Sequence, residues 1–97
     1  MGTLYISEFQ TVQMYGQVAH APSERDQVVA ITDESTMSQP FLERTVLVLL
    51  HCDAACSIRF VAHHDGKATR SNMRMEAGQT MPYGVAPGHA IAVISNP

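Results

Sequence analysis

Arg44-Thr45-Val46-Leu47-Val48-Leu49-Leu50-His51-Cys52-Asp53-Ala54-Ala55-Cys56-Ser57-Ile58-Arg59-Phe60-Val61-Ala62 is the stretch that decides the fold class of this chain. Its second half alternates, placing Cys56, Ile58 and Phe60 on one face and Ser57, Arg59 and Val61 on the other. That is the period of a strand with one face turned to a core. Its first half is apolar on both sides, with Val46, Val48 and Leu50 defining one face and Leu47 and Leu49 the other. Such a strand wants cover twice over, either beneath a loop or at a subunit contact. Asp53-Ala54-Ala55 between the halves has the composition of a turn.

The same grammar runs through the rest of the sequence. Strands are predicted over Leu4 to Phe9, Gln13 to Val18, Gln27 to Thr32, Arg44 to Cys52, Cys56 to Ala62, Asn72 to Glu76, Thr80 to Val85 and Ala90 to Ser95. Turn residues punctuate them: Pro22-Ser23, Asp65-Gly66, Ala77-Gly78 and Pro87-Gly88. No stretch keeps helical spacing for three turns. The prediction is an all-β chain, a small β-sandwich or jelly-roll-like domain of about eight short strands over residues 1–97. Val46, Val48, Leu50, Ile58, Phe60, Ile91 and Val93 are the expected core, and Met73 and Met75 are expected to face inward. Asp33 to Pro40 is polar and reads as a loop or an arm.

Composition narrows the function classes. The chain has 97 residues, 45% of them hydrophobic and only 15% charged, with a net charge of -3. An average soluble domain is roughly 25% charged, so this exterior is short of charge, as a surface covered by neighbours or one built from polar uncharged residues would be. The basic residues Arg25, Arg44, Arg59, Lys67, Arg70 and Arg74 are dispersed, whereas phosphate-backbone binding calls for clusters; direct nucleic-acid contact is not expected. No window approaches the roughly 18 apolar residues of a membrane span, and Met1 to Ile6 lacks a basic leader, so no membrane partner and synthesis in the cytoplasm are expected.

Residues that could carry chemistry do not assemble into a recognisable site. Cys52 and Cys56 are expected to be buried, reduced thiols without a catalytic or zinc role, since zinc needs two further ligands at suitable spacing. No Gly-x-Ser-x-Gly elbow and no phosphate-cradling loop is present. The one enzymatic candidate is a cupin-like metal site from His63, His64, Glu76, His89 and Asn96. Its spacing is wrong, because consecutive histidines in extended chain point to opposite faces. Catalytic residues, cofactor and metal are all expected to be none.

From Thr45 onward the order of elements carries a resemblance. Leu50-His51-Cys52-Asp53-Ala54-Ala55-Cys56, Ile58-Arg59-Phe60, Ser71-Asn72-Met73-Arg74-Met75, Tyr83-Gly84-Val85 and Pro87-Gly88-His89-Ala90-Ile91-Ala92-Val93-Ile94, with Leu4-Tyr5-Ile6-Ser7-Glu8-Phe9 at the start, resemble small virion proteins of tailed bacteriophages. The match covers about two thirds of the chain and leaves Val18 to Glu43 out. The resemblance implies a head decoration, or cement, protein: a β-sandwich on the capsid surface of the virion, binding the major capsid protein as a homo-oligomer, dimer or trimer. A tail or neck accessory protein is its neighbour in function, and a β-sandwich binding module outside any virion is the alternative. The residues expected at the subunit contact are Leu47 and Leu49, unless Asp33 to Pro40 and Phe41 fold back over that face within the same chain.

Overall fold

A computed structural model of the chain describes residues 2–9, 25–62 and 66–97. The predicted strand Gln13 to Val18 and the His63-His64 pair lie outside the described residues. Among the described residues eight strands follow in order: β1 (Gly2–Phe9), β2 (Arg25–Ile31), β3 (Thr36–Met37), β4 (Leu47–Cys52), β5 (Cys56–Val61), β6 (Met73–Met75), β7 (Thr80–Gly84) and β8 (Ala90–Ser95). They form two four-stranded sheets, β2-β1-β4-β7 and β3-β8-β5-β6, antiparallel at every pairing. The predicted β-sandwich is what the chain forms, and no helix among the described residues is long and apolar enough to cross a membrane.

The pairing has a definite topology. Count from β2 and let β1 take the eighth place: first then pairs with eighth (β2 with β1), second with seventh (β3 with β8), third with sixth (β4 with β7) and fourth with fifth (β5 with β6). That nesting is a jelly roll, here with its last strand supplied by the N-terminal segment. The Asp53-Ala54-Ala55 turn joins the layers where β8 meets β1, since the Asp53 amide donates to the Thr3 carbonyl at 3.2 Å and the Asn96 amide to the Ala55 carbonyl at 3.1 Å.

Between the sheets lies one apolar layer. Leu4 and Ile6 of β1, Val29 and Ile31 of β2, and Val48, Leu50 and Cys52 of β4 meet Cys56 and Ile58 of β5, Met75 of β6, and Ile91 and Val93 of β8, with Phe41 inserted from the connection before β4. Five of the seven expected core residues are in this layer. Val46 is not: it is 43% exposed. Phe9 is the register partner of Leu47, yet its carbonyl also accepts the Val46 amide at 3.0 Å, so two residues stand opposite one and the strand bulges. The bulge flips the alternation, turning Thr45 inward and Val46 outward, and regular strand begins only at Leu47. Phe60 is half-buried at the margin, edge-on to Tyr83 with ring centroids 5.2 Å apart. Met73 shares the inward face with Met75 but sits beyond the end of the core and is 47% exposed.

The polar segment Asp33 to Pro40 is neither arm nor plain loop. Thr36 and Met37 pair with Val93 and Ala92 of β8 as the short strand β3, and the Thr36 hydroxyl donates to the Ala30 carbonyl of β2 at 2.6 Å. Gln27 then brackets Gln39, accepting from its amide at 2.9 Å and donating to its carbonyl at 3.3 Å. The segment straps one open side of the sandwich.

Candidate binding face

Each sheet has an outer face, and the two are treated differently. On β3-β8-β5-β6, Val61, Ala90 and Ala92 would lie bare, but Ala68 from the 66–72 connection packs on them beside Met37 and Ile94. Side chains pin that connection: Ala68 N donates to Ser35 Oγ at 2.9 Å, Arg59 donates to the Lys67 carbonyl at 3.1 Å, and Arg70 donates to the Ser95 carbonyl at 3.1 Å. The side chains of Arg59, Arg70 and Arg74 are therefore used in local bonding, Arg74 reaching the Asn96 carbonyl at 3.1 Å and pairing with Glu76.

On β2-β1-β4-β7 the register sets out the outer face row by row. Val28, Tyr5, His51 and Thr80 form one row across the four strands; Asp26, Ser7, Leu49 and Pro82 form the next; Phe9, Leu47 and Gly84 continue it. Val28 is 69% and Tyr5 45% exposed, Leu47 and Leu49 are half-buried, and Phe9 is buried. Tyr5 and His51 lie 6.2 Å apart, ring to ring, and His51 Nδ1 is 2.8 Å from Thr80 Oγ1. Leu47 and Leu49 thus share their face with the exposed Tyr5 and Val28, set among the polar residues Asp26, Ser7, His51 and Thr80. Phe41, the residue that could have folded over them, goes instead to the inner layer with Val48 and Leu50. Sequence reasoning singled out the two leucines but not Tyr5 and Val28, whose membership follows only once β1 is known to pair with β4 and β2 with β1.

Behind this face one charge is built into the interior. Glu8 continues the inward positions of Leu4 and Ile6 and its side chain has no exposure. Its carboxylate accepts from Arg25 Nε at 2.6 Å, Gln27 Nε2 at 2.9 Å, the Leu42 amide at 2.9 Å and Thr45 Oγ1 at 2.8 Å. Burial alone pushes this carboxyl up, yet the bonds from Arg25, Leu42, Gln27 and Thr45 together outweigh it and hold it below the usual range. With Arg25 also donating to the Pro40 carbonyl at 2.6 Å, the cluster anchors the 38–45 connection to β1 and β2 and so fixes the bulge that starts β4.

The residues considered for chemistry are dispersed. Glu76 follows Met75, the register partner of Cys56, whereas His89 precedes Ala90, the partner of Val61; the two are at opposite ends of β5, at least about 16 Å apart. The cupin-like grouping of Glu76 with His89 is therefore not formed, and Asn96 is engaged with Ser57 Oγ at 2.8 Å. No group of three or more His, Cys, Asp or Glu side chains comes together among the described residues. Cys52 and Cys56 are free, buried thiols on either side of the interlayer turn. Burial, with Cys52 close by and Arg74 acting the other way, pushes the Cys56 thiol up to about 12, so it holds its proton at neutral pH and is a poor nucleophile. Set beside known proteins, the chain matches no family profile, no curated sequence and no solved structure.

Proposed function

We propose that this chain is a structural virion protein that decorates and stabilises a bacteriophage capsid, associating with the major capsid protein and with copies of itself through the outer face of β2-β1-β4-β7. The observation that carries this reading is the asymmetry of the sandwich. Among the described residues, one outer face is covered by the chain's own 66–72 connection, while the other presents Tyr5 and Val28 exposed and Leu47 and Leu49 half-buried. Exposed apolar side chains grouped on one face and rimmed by polar residues mark interaction sites. Covering what remains exposed of each half-buried leucine contributes at most about 1 kcal/mol, and the more exposed Val28 and Tyr5 add to it, a contribution repeated with every subunit around a shell. The virion assignment itself rests on the order of sequence elements from Thr45 onward.

The test is the double variant Leu47→Lys/Leu49→Lys. It should keep the circular dichroism of the native sandwich, because both side chains point away from the inner layer. It should also sediment as a monomer and fail to bind shells assembled from the major capsid protein. A folded variant that still associates and still decorates shells would overturn the proposal, as would absence of the native chain from purified virions.

A further inference from the structure

We propose that Met73 is an oxidation site of the folded domain, taking up one oxygen atom from a peroxide, and that the Tyr83 hydroxyl then holds the sulfoxide in place. Met73 is the exposed methionine on a strand whose other methionine, Met75, is 1% exposed in the inner layer. Met37 and Met81, on β3 and β7, are partly buried against the two apolar clusters. Access to sulfur governs thioether oxidation, so among these four the fold leaves Met73 open and closes Met75.

In the reaction a lone pair of Sδ attacks one oxygen of hydrogen peroxide, an S–O bond forms, the O–O bond breaks and water leaves after proton transfer. Sulfur loses two electrons and the peroxide gains them. What distinguishes this site is its neighbour. Tyr83 Oη lies 3.4 Å from Met73 Sδ and donates its hydrogen to it, and Phe60 packs edge-on against the same ring. Thioether sulfur is a weak acceptor, whereas the sulfoxide oxygen is a strong one. Oxidation thus converts a feeble contact between β6 and β7 into an ordinary hydrogen bond in place of a lone polar atom at the margin of the core. Burial raises the Tyr83 hydroxyl above its ordinary value, which keeps the donor protonated.

Peptide mass mapping of the native protein after limiting hydrogen peroxide at neutral pH tests the site directly. Met73 should gain one oxygen several-fold faster than Met37 and Met81, and Met75 should react only once urea is added. Equal or faster oxidation of Met37 or Met81, or ready oxidation of Met75 in the folded state, would overturn the assignment. The Tyr83 role is read from urea midpoints of reduced and oxidised protein. Oxidation should lower the midpoint less in the native chain than in Tyr83→Phe, and equal losses in the two would refute it.

Discussion

Replacing Glu8 by glutamine keeps the size of the side chain and removes its charge. The carboxylate receives four donors, and an amide oxygen can serve only about two of them while its own NH2 is turned against the rest. Losing two charge-assisted bonds at roughly 1.5 to 3 kcal/mol each sets an upper range of roughly 3 to 6 kcal/mol. Arg25, 30% exposed, regains water when its partner is neutralised, which brings the expected loss to about 3 kcal/mol. In a domain of this size that lowers the melting temperature by roughly 12 to 24 °C. Urea unfolding followed by circular dichroism at pH 7 measures the loss, and hydrogen exchange at the Leu42 amide locates it. The pH dependence gives a second signature. Because the folded carboxyl lies below the ordinary 4.5, its contribution is fully present above that value and is lost as pH falls through the folded value. The gap between native and Glu8→Gln protein should therefore close on acidification. A loss under about 1 kcal/mol with unchanged Leu42 protection, or a gap that stays constant into acid, would refute the anchoring role.

Other perturbations separate the inner layer from its margin. Ile58→Ala should cost about 2 to 5 kcal/mol, whereas Phe60→Ala, at a half-buried site, should cost roughly 1.5 to 3 kcal/mol; urea midpoints in the reverse order would mean the margin is misplaced. Cys52→Ala with Cys56→Ala should leave the fold and assembly intact at a cost of about 1 to 3 kcal/mol. In the native protein both thiols should resist iodoacetamide at pH 8 until urea unfolds the chain, and rapid labelling of folded protein would contradict their burial.

The alternation in Cys56 to Val61 and the paired apolar faces of Leu47 to Leu50 were enough to fix a sandwich and most of its inner layer, because burial on one face imposes a two-residue period that needs no partner to be seen. What escaped the sequence has a common cause: it depends on residues far apart in the chain. Val46 fails as a core residue because Glu8, 37 positions before Thr45, requires the Thr45 hydroxyl and turns the strand by one residue. A glutamate in phase with Leu4 and Ile6 was the available signal for that cluster. Thr36-Met37 is too short to show a period and becomes β3 only by pairing with β8. Alternation assigned Phe60 and Met73 to the correct face but carries no information on how far along a strand the opposing sheet reaches. The leucine pair was legible for the opposite reason, since an apolar second face stands out within one strand, while Tyr5 and Val28 joined it only through the register of β1 and β2.

The edges of the two sheets bear on how such a domain associates. Strand pairing between copies needs a long edge with free amides, and each edge here is compromised. On β7, the Val85 amide donates to the Val46 carbonyl and the Gln79 carbonyl accepts from Cys52, so odd-numbered residues turn to β4 and Pro82, which has no amide hydrogen, occupies the middle of the free side. On β2, the side chains of Gln27 and Arg25 and the Ala30 carbonyl are already tied to the 36–40 segment. β3 and β6 offer two and three residues. Among the described residues the sheet edges are blunted, so under the proposed function association runs side chain to side chain over the outer face of β2-β1-β4-β7. This is why the Lys substitutions at Leu47 and Leu49, and not a change to any edge strand, are the ones that should abolish assembly while sparing the fold.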